Sequence, residues 1–515
     1  MNNCDILIIG AGCGGLTAAA YAAKEGKKAL VLERRRTPGG LMTSFVRGRF
    51  EFETAARRLD GFGYEKGAGE LRRMLEELGV AQSVATVPLP DLGRLLTVSA
   101  DGSPIDFKIP FGPNAFLAAL DVYAPGSKAS VARLFDVARE LEKLEDAFAD
   151  DAQETTLRVL HKTFGDAVRA LPYSVNEVLD AVGVPHKARE ILTCLWPDLG
   201  VDCDRLNFAH YILHLYRTLR DGAQVPHARS YDLAMALTEK IEENGGAVRC
   251  ASPVSKILFT NGEATGVVLR SGEEIHCNHI IADCSPTTVF AKMMKLRDVP
   301  KTALKRTNAR KLGMRSACVY LGLNRSTEEL GIADYSVICD DTADTKRQFE
   351  AMKSIETNHY LTATCPNVAD AFYSPAGTAV LTLETRYTDN CWADVSPARY
   401  FEEKDRLAAR LITLYEQATG IAIHANIEEL EVATPVTFAR YTDAPKGVTH
   451  GYLAAGFDSV PARLMTEQSD CDTKGLRFCG GFGTLHCGIG AAAASGRNAL
   501  YATLNDMNGG TNHAG

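Results

Sequence analysis

The sequence predicts an α/β protein built on a parallel sheet, and three features of the chain support this prediction. A short apolar run, Ile6 to Ile9, leads directly into a cluster of glycines. A second apolar run, Ala29 to Leu32, ends at an acidic residue. Near the other end of the chain, a strand-like segment, a glycine loop and an alanine-rich segment repeat the first arrangement. Short, continuously apolar runs are typical of buried parallel strands.

The first glycine cluster has the spacing G-x-G-x-x-G, formed by Gly10, Gly12 and Gly15, with a further glycine at position 14. The first glycine allows a tight turn, the second lets a pyrophosphate approach the backbone, and the third lets helix and strand pack closely. Unpaired N–H groups at the start of the next helix then face the phosphate charge. The motif therefore predicts a Rossmann-type site for a dinucleotide.

The acidic residue after the second run, Glu33, supports the same site. It follows Gly15 by 18 residues, close to the offset of about 20 residues at which a carboxylate binds a ribose hydroxyl. A carboxylate at this place disfavours a 2′-phosphate, so NADP is not expected. We expect the three arginines that follow, Arg34 to Arg36, to lie in a solvated turn.

Composition and charge exclude several classes of protein. The 515 residues predict two or more domains, and the net charge of −8 disfavours nucleic acid as a partner. Because no run of 18 or more apolar residues and no signal-peptide pattern occurs, we expect no transmembrane helix. The 14 cysteines are scattered singly, which predicts reduced thiols in a cytoplasmic protein rather than disulfides or a metal site.

Between the two glycine clusters the pattern changes from helical to strand-rich. From about residue 110 to 245 it is mainly helical. Strand-like alternation follows in Ala247 to Val268, with Asn261-Gly262 as a hairpin turn, and Glu274 to Ala282 is predicted as one further strand. A region of strands and loops then precedes an amphipathic helix that we expect to end at Gly420.

The second glycine cluster lies near the C-terminus. A short apolar strand meets Gly480 and Gly481, and after a loop Gly488 and Gly490 open an alanine-rich helix. The start of such a helix carries unpaired N–H groups and partial positive charge. A reduced flavin is negatively charged near N1, so this helix end would stabilise the reduced form. Together with the opening motif, the cluster predicts a flavin dinucleotide.

Four motifs of this chain resemble the FAD-binding segments of the phytoene desaturase and carotenoid isomerase family. They are GAGCGG from Gly10, the PGG turn at Pro38 to Gly40, GVVLRSGEEI from Gly266 and GIGAAAASGRNA from Gly488. Retinol saturases share this layout, and the amine oxidase superfamily shares the fold. The resemblance covers nearly the whole chain in order. It implies a glutathione reductase-like nucleotide fold for FAD, a discontinuous α+β substrate domain and a helical lid.

The same resemblance implies how the chain divides into domains. We expect the FAD-binding domain to comprise residues 1–100, 226–290 and 466–515. We expect the helical lid to comprise residues 101–225 and the substrate domain residues 291–465. The lid and the substrate domain would enclose an apolar tunnel.

The resemblance also implies which residues hold the cofactor. The opening glycines would contact the pyrophosphate, and Glu33 with its neighbour Arg34 the adenosine ribose. The PGG turn and the second glycine cluster would run beside the flavin, and the backbone of Val254 would meet the adenine. The full implied set is Gly10, Gly12, Gly14, Gly15, Glu33, Arg34, Gly39, Gly40, Leu41, Val254, Gly480, Gly481, Gly488, Ile489 and Gly490.

Two segments depart from the family pattern. Gly481 stands where relatives often carry an acidic residue that contacts the ribityl or phosphate groups. The loop Ala55 to Asp60 contains Arg57 and Arg58 where carotenoid desaturases commonly have an apolar turn. Two arginines beside the flavin would suit a polar or anionic substrate end better than a bare hydrocarbon.

The sequence contains no second G-x-G-x-x-G after a strand and no C-x-x-C, so we expect no separate NAD(P)H domain. Electrons would pass to or from the substrate or an external donor or acceptor, or return to the same molecule in an isomerisation. We therefore expect an FAD-dependent oxidoreductase that desaturates, saturates or isomerises carbon–carbon double bonds of an apolar or amphipathic polyene- or isoprenoid-like substrate. The candidate catalytic residues are His486 and Tyr441 for proton transfer and Arg58 for holding an anion.

Two other functions stay open at this point. A flavin amine oxidase, acting on a C–N bond, would need an aromatic cage over the flavin and a lysine near its N5. A non-catalytic protein braced by FAD would hold a flavin that no small molecule reoxidises.

His210 and His214 are four residues apart on a helix, but no third metal ligand is evident, so we expect them to pack and expect no metal. Peripheral membrane contact through the lid would fit a lipid substrate, although the sequence shows no basic amphipathic helix.

Overall fold

The computed structural model describes residues 4–63, 69–150, 163–454, 473–483 and 488–508, which form alternating strands and helices. The strands are β1 (Ile6–Ile9), β2 (Ala29–Leu32), β3 (Ser44–Arg47), β4 (Phe50–Glu53), β5 (Leu59–Asp60), β6 (Thr86–Pro88), β7 (Asp91–Val98), β8 (Pro104–Pro110), β9 (Ala223–Pro226), β10 (Ala247–Arg249), β11 (Val254–Thr260), β12 (Glu263–Leu269), β13 (Glu274–His276), β14 (Ile280–Ala282), β15 (Arg315–Leu323), β16 (Ser336–Cys339), β17 (Leu361–Thr364), β18 (Ala379–Tyr387), β19 (Ile427–Ala433) and β20 (Leu476–Phe478). The α-helices are α1 (Cys13–Lys24), α2 (Glu70–Glu77), α3 (Pro113–Tyr123), α4 (Lys128–Asp150), α5 (Gly165–Ala170), α6 (Val175–Val182), α7 (His186–Leu192), α8 (Phe208–Asp221), α9 (Tyr231–Glu243), α10 (Pro286–Thr288), α11 (Lys301–Ala309), α12 (Thr327–Leu330), α13 (Thr345–Ala351), α14 (Tyr400–Thr419), α15 (Pro435–Thr442) and α16 (Ile489–Met507).

A parallel sheet organises the nucleotide-binding end of the molecule. Its strand order is β10-β2-β1-β14-β20, and each neighbouring pair is parallel. The central strand β1 pairs Ile8 with Val31 of β2 on one side and with Ile281 of β14 on the other. All residues of β1 and β2 are buried, as expected for parallel strands covered on both faces. The predicted α/β fold with a Rossmann-like sheet is confirmed.

The two ends of the chain meet at this sheet. Strand β20, from the C-terminal region, is added beside β14, and helix α16 packs along α1. The two helices come closest where Gly14 faces Gly496, because a Cβ on Gly496 would clash with the carbonyl oxygen of Gly14. The two glycine clusters, more than 460 residues apart in the sequence, are therefore neighbours in the fold.

A second, larger sheet has the strand order β19-β15-β18-β17-β16-β7-β8. It is antiparallel except for the pair β16 and β7. Helix α14 covers it with the buried side chains of Leu407, Leu411 and Tyr415. Strands β7 and β8 join this sheet although they precede residue 111 in the chain. The division into domains at residues 100, 225, 290 and 465 stays a prediction.

Helices α3 to α8 share one apolar core, in which Phe116, Phe135, Trp196 and Phe208 are buried. The described residues between about 110 and 245 are mainly helical, as predicted, and are interrupted by the short strand β9. No helix among the described residues is long and apolar enough to cross a membrane.

Local predictions are mostly confirmed, with one exception. The hairpin turn has positive φ at both Asn261 (52°) and Gly262 (84°), as a type I′ turn requires. Helix α14 ends at Gly420 in the left-handed conformation. The prediction of one strand over Glu274 to Ala282 is wrong: β13 pairs antiparallel with β12, whereas β14 pairs parallel with β1. β13 alternates, with Ile275 buried between the exposed Glu274 and His276, whereas β14 is continuously apolar and buried. Both patterns are typical of strands, so the prediction joined them and missed the change of sheet.

Candidate functional site

One cavity of about 1830 Å³ runs between the two sheets and the helical region. Most of the predicted cofactor residues line it. They are Gly10, Gly12, Gly14, Glu33, Arg34, Gly39, Gly40, Leu41, Val254, Gly481, Gly488, Ile489 and Gly490. The two other predicted residues, Gly15 and Gly480, lie directly behind this lining. The part of the cavity near these residues is called the nucleotide groove below.

The opening glycines form a cradle that any side chain would fill. Gly10 has φ of 102°, a conformation that favours glycine. Gly12 is the N-cap of α1 and carries no side chain to satisfy the first N–H groups of the helix, so those that no carboxyl group reaches are available to an anion. A Cβ on Gly15 would clash with the carbonyl oxygen of Gly10. Gly15 therefore permits the close contact of helix and strand that the motif predicted.

The carboxylate of Glu33 is buried at the end of β2. Its Oε2 accepts a hydrogen bond from the N–H of Ala11 at 2.9 Å, and its Oε1 accepts one from the N–H of Arg35 at 2.7 Å. Each carboxylate oxygen can accept a second hydrogen bond. Glu33 thus holds the glycine turn in place and keeps acceptor capacity for a ribose hydroxyl.

The turn at Gly39 and Gly40 passes close to the opening motif. Both residues have positive φ, 111° and 62°. The N–H of Gly39 donates to the carbonyl of Ala11 at 2.7 Å, and a Cβ on Gly40 would lie 3.1 Å from the Cα of Gly12. The two segments therefore form one continuous glycine wall.

The C-terminal cluster completes this wall. A Cβ on Gly14 would lie 2.6 Å from the N atom of Gly480, so the two clusters are in direct contact. Gly488 has φ of 108° and is the N-cap of α16, without a side-chain hydrogen bond. A Cβ built on Gly481 or Gly488 would meet no atom of the described residues within 4 Å. Open space, two bare helix starts and an acceptor at Glu33 together fit a dinucleotide.

An acidic residue that sequence reasoning missed lies behind the opening glycines. Asp283 follows β14, and its N–H donates to the carbonyl of Ile9 at 2.8 Å. A Cβ on either Gly12 or Gly480 would clash with its carboxyl group. Burial raises the pKa of Asp283 to about 6, although hydrogen bonds from the N–H groups of Gly15 and Gly12 lower it. The signal in the sequence was an acid at the end of a short apolar strand, as for Glu33.

The residues predicted at the adenosine end lie together. Arg34 donates to the carbonyl groups of Arg440 and Tyr441, and the Arg35 guanidinium lies 5.3 Å from the ring centroid of Tyr441. Val254 begins β11 and lines the same end of the cavity. Tyr441 is therefore placed beside Arg34 and Arg35, at the end of the cavity predicted to hold the adenosine, and a catalytic role for it stays a prediction that this placement does not favour.

At the other end of the cavity, charged side chains form a buried network, called the polar wall below. It consists of Arg57, Asp198, Ser316, Glu384 and Arg386, all of which line the cavity. Arg57 Nη1 donates to Glu384 Oε2 at 2.6 Å, and Ser316 Oγ donates to Glu384 Oε1 at 2.7 Å. Arg386 joins the two carboxylates, donating to Glu384 Oε1 at 3.2 Å and to Asp198 Oδ1 at 2.6 Å.

The polar wall keeps both carboxylates ionised. Burial alone would raise the pKa of Glu384, but Arg386 and Arg57 hold it well below its ordinary value. The pKa of Asp198 is lowered against burial by Arg386 and by His214, whose Nε2 lies 3.0 Å from Asp198 Oδ2. Opposite charges in contact favour the ionised forms. The wall is thus charge-paired rather than apolar.

His450 extends the polar wall. Its Nδ1 lies 2.8 Å from Thr449 Oγ1, which in turn lies 2.9 Å from Ser316 Oγ. Burial, followed by the nearby Arg386, lowers the pKa of His450 to about 4, so its imidazole is neutral near pH 7. Sequence reasoning missed both the wall and this histidine.

The remaining candidates are placed as follows. Arg58 lines the cavity next to the polar wall, and its Nε donates to Asp60 Oδ1 at 2.8 Å. His486 lies outside the described residues, so its role stays a prediction. His214 pairs with Asp198 and His210 is buried on the same helix. Among the described residues no group of three or more His, Cys, Asp or Glu could hold a metal ion.

This geometry defines a class: a Rossmann-like nucleotide-binding domain joined to a second sheet, with one cavity between them. Residues 8–78 match the model of the NAD(P)-binding Rossmann-like domain family. Among solved structures, cyclohexylamine oxidase from Brevibacterium oxydans aligns with a TM-score of 0.62 at 15% identity, covering 98% of this chain and all of that one. At this identity the similarity shows the fold alone, which is that of amine oxidase-type flavoenzymes.

The sequence relatives are more specific. The chloroplastic prolycopene isomerase of Daucus carota is 24% identical over 485 residues, which cover 88% of this chain and 72% of that protein. The all-trans-retinol 13,14-reductase of Danio rerio is also 24% identical over 485 residues, covering 87% and 77%. Prolycopene isomerases and retinol 13,14-reductases are homologues of this chain, which confirms the resemblance drawn from its motifs.

Proposed function

We propose that the chain is an FAD-dependent oxidoreductase that desaturates, saturates or isomerises carbon–carbon double bonds in an apolar or amphipathic polyene- or isoprenoid-like molecule. The observation that carries this proposal is the single cavity that joins the glycine-built nucleotide groove to a second chamber beside the large sheet. Homologues named for isomerising prolycopene and for reducing retinol support the reaction class.

The residues that would hold FAD are those of the nucleotide groove. The N-termini of α1 and α16 would face negative charge, at the pyrophosphate and at the flavin respectively. Glu33 would accept a hydrogen bond from the adenosine ribose, and the turn at Gly39 and Gly40 would let the cofactor pass close to the backbone. When bound, a flavin supplies hydride exchange at a carbon centre.

The protein itself must hold the substrate and move the accompanying proton. Within the described part of the cavity, His450 has an imidazole that is neutral near pH 7, and its low pKa would make it a weak base that passes a proton on rather than holding it. The hydrogen-bonded path through Thr449 and Ser316 to Glu384 would orient this ring. His486 stays a second candidate, and Arg58 would contact the substrate near the polar wall.

A flavin amine oxidase is the main alternative. A cationic amine would be favoured by a carboxylate that is not already paired, whereas Glu384 and Asp198 are paired with arginines. The only lysine among the described residues that line the cavity is Lys292, and it forms an ion pair with Asp443 near the nucleotide groove. These observations favour carbon–carbon chemistry. A non-catalytic protein braced by FAD is distinguished by the experiment below.

Anaerobic titration of the purified, FAD-loaded protein tests the proposal. If the protein saturates double bonds, we expect a polyene or isoprenoid to reoxidise the reduced flavin. If it desaturates them, we expect the substrate to reduce the oxidised flavin and remove its yellow absorbance. In both cases the product should differ from the substrate only at a double bond. An isomerisation would give product without net change in flavin absorbance. Oxidation of amines but of no polyene would support the alternative, and a flavin that dithionite reduces but no organic molecule reoxidises would indicate a structural brace.

We also propose that the protein works in the cytoplasm and contacts membranes peripherally. The twelve cysteines of the described residues are free, which supports a reducing compartment. Lys295, Lys301, Lys305 and the side chain of Leu296 are all exposed within one short segment, a composition that would suit anionic lipid. Co-sedimentation with phosphatidylglycerol vesicles tests the membrane contact, and protein that stays in the supernatant would argue against it.

A further inference from the structure

Two cysteines lie next to each other just before the strands β1 and β14 of the parallel sheet. These strands pair in parallel, with Leu7 opposite Ile280. Counting back three residues from each member of this pair reaches Cys4 and Cys277. Neighbouring strands are about 4.8 Å apart, and the Cα atoms of a disulfide are usually about 4.4–6.8 Å apart. The position of the two cysteines is therefore compatible with a disulfide bond.

The side-chain contacts of the two cysteines support the same conclusion. Cys277 Sγ lies 3.4 Å from the carbonyl oxygen of Asp5, the neighbour of Cys4, and 3.3 Å from that of His279. The thiols of Cys4 and Cys277 also share a hydrogen bond, and both side chains pack on one apolar cluster. Cys277 is buried, whereas Cys4 is partly exposed. A small molecule therefore has access to one thiol while the other is held against it.

The chemistry of the pair also differs from that of the other cysteines. The hydrogen bond with Cys4 lowers the pKa of Cys277 and raises that of Cys4. Of the twelve cysteines of the described residues, Cys277 alone has a lowered pKa, and the others have raised values. Because the thiolate is the form that attacks a disulfide, this pair is favoured for thiol–disulfide exchange.

We propose that Cys4 and Cys277 form a modification site, at which exchange with a small-molecule disulfide such as oxidised glutathione produces an intramolecular disulfide bond. One cysteine thiolate first attacks the small disulfide, which gives a mixed disulfide and releases one glutathione. The other cysteine then attacks the mixed disulfide and releases the second glutathione. Overall, two protons and two electrons pass from the two cysteines to oxidised glutathione, which becomes two molecules of reduced glutathione.

The bond would cross-link the two strands that lead to the nucleotide groove. Strand β1 leads into the turn at Gly10, and β14 leads to Asp283, whose N–H donates to the carbonyl of Ile9 at 2.8 Å. Cys4 and Cys277 are 273 residues apart in the sequence, and a cross-link that closes so long a loop restricts the unfolded chain strongly. We therefore infer that oxidation of this pair makes the nucleotide-binding end more resistant to unfolding.

Exposure of the purified protein, with its cofactor bound, to oxidised glutathione tests the proposal. Remaining thiols are blocked, and the digested protein is analysed by mass spectrometry without reduction. We expect a cross-linked pair of peptides containing Cys4 and Cys277, and a loss of two of the 14 thiols. The melting temperature should rise by roughly 5 °C, and dithiothreitol should reverse the rise. Oxidation that stops at glutathione adducts, links other cysteines or leaves all thiols free overturns the proposal.

The variants Cys4→Ser and Cys277→Ser assign the effect to this bond. Each should lose both the cross-linked peptides and the rise in melting temperature. The matched control is Cys250→Ser, because Cys250 is also partly exposed but has Glu33 and Glu242, not a cysteine, as its charged neighbours in the described structure. It should keep the bond and the full rise.

The outcome does not depend on the proposed reaction, because thiol content and melting temperature are measured without a substrate. A full rise in either serine variant would show that another modification stabilises the protein and would overturn the proposal. Should the buried Cys277→Ser variant not fold, Cys4→Ser at the partly exposed position still decides the proposal.

Discussion

The two ends of the cavity bind through different parts of the polypeptide. The nucleotide groove consists mainly of backbone: glycines without side chains and two helix starts, with the buried carboxylate of Glu33 beside them. The polar wall consists of side chains: arginines and carboxylates that are buried and paired, and a histidine whose charge is suppressed. The first end recognises its ligand by the space that missing side chains leave, and the second by donors and acceptors that must be placed by the whole fold.

This difference decides what each region tolerates. In the groove, adding one methyl group is harmful because the backbone has no room for it. In the polar wall, removing one charged group is harmful because its partner then stays buried without an opposite charge beside it. Substitutions that add volume or remove charge therefore separate the two regions experimentally.

The largest expected effect is that of Gly12→Val. Its side chain would clash with Asp283 and fill the path of the pyrophosphate. We expect FAD affinity to fall by on the order of 100-fold, equivalent to roughly 3 kcal/mol, so that the purified protein is colourless. The ratio of flavin to protein absorbance and dialysis against FAD measure this.

A matched control for this substitution is Gly165→Val. Gly165 begins α5 outside the cavity, and among the described residues a Cβ there would meet only the end of the Arg169 side chain, at 3.3 Å. The control should stay yellow. A yellow Gly12→Val protein would show that the groove does not bind the pyrophosphate at this turn.

The next largest effect is expected for Glu384→Ala in the polar wall. The substitution leaves Arg57 and Arg386 buried with a missing partner, and such losses cost about 3–5 kcal/mol. We expect this decrease in the free energy of unfolding in urea. FAD content of the folded fraction should be unchanged, because the nucleotide groove does not contact this residue. Loss of colour without loss of stability would contradict the separation of the two regions.

The ion pairs of Glu384 with Arg57 and Arg386 predict that the folded protein loses stability in acid. Because the pKa of Glu384 is lower in the folded protein than its ordinary value of 4.5, the stabilisation is complete above about pH 4.5 and is lost as the pH falls further. Urea unfolding of the unmodified protein should show this decrease between pH 5 and pH 3. The Glu384→Ala variant, already less stable, should show a smaller decrease.

The contrast also explains how much could be predicted from the sequence. Gly10, Gly12, Gly15 and Glu33 lie within one βαβ unit, so their spacing alone indicates the groove. The members of the polar wall are separated by up to 329 residues, and only the pairing of β15 with β18 brings Ser316 opposite Arg386 and Cys318 opposite Glu384. A trace was present: Thr382, Glu384 and Arg386 occupy every second position of β18, although Thr385 between them is polar as well. Without the register, nothing indicated that the two strands are neighbours.

Asp283 is a second buried acid in the backbone-built region, beside Glu33, and Asp283→Asn tests its effect. The folded pKa of about 6 exceeds the ordinary value of 3.8, so ionisation of Asp283 destabilises the fold progressively from about pH 4 to pH 6 and fully above that. Asparagine keeps the shape without the charge. At pH 8 we expect a gain of about 1–3 kcal/mol in the free energy of unfolding, and tighter FAD binding because a carboxylate no longer faces the pyrophosphate.

At pH 4.5, where the carboxyl group of the unmodified protein is largely protonated, the two proteins should differ little in FAD affinity. Dialysis against FAD at both pH values makes the comparison, and Glu33, the neighbouring acid, is present in both proteins. Weaker FAD binding by Asp283→Asn at pH 8 would indicate that the ionised carboxylate assists the cofactor instead.

The smallest effect is expected for Ser316→Ala, which probes the wall without removing a charge. Ser316 Oγ donates to Glu384 Oε1 and lies within hydrogen-bond distance of Thr449. Two arginines still compensate Glu384 after the substitution, so the loss should be about 1 kcal/mol, typical of one buried hydrogen bond. The exposed Ser271→Ala serves as control, because its hydroxyl accepts only a long 3.4 Å contact from the N–H of Glu273 and its loss should cost less than about 0.5 kcal/mol. If Ser316→Ala were as damaging as Glu384→Ala, the serine and not the charge pairing would hold the polar wall together, and the contrast between a backbone-built and a charge-built end would fail.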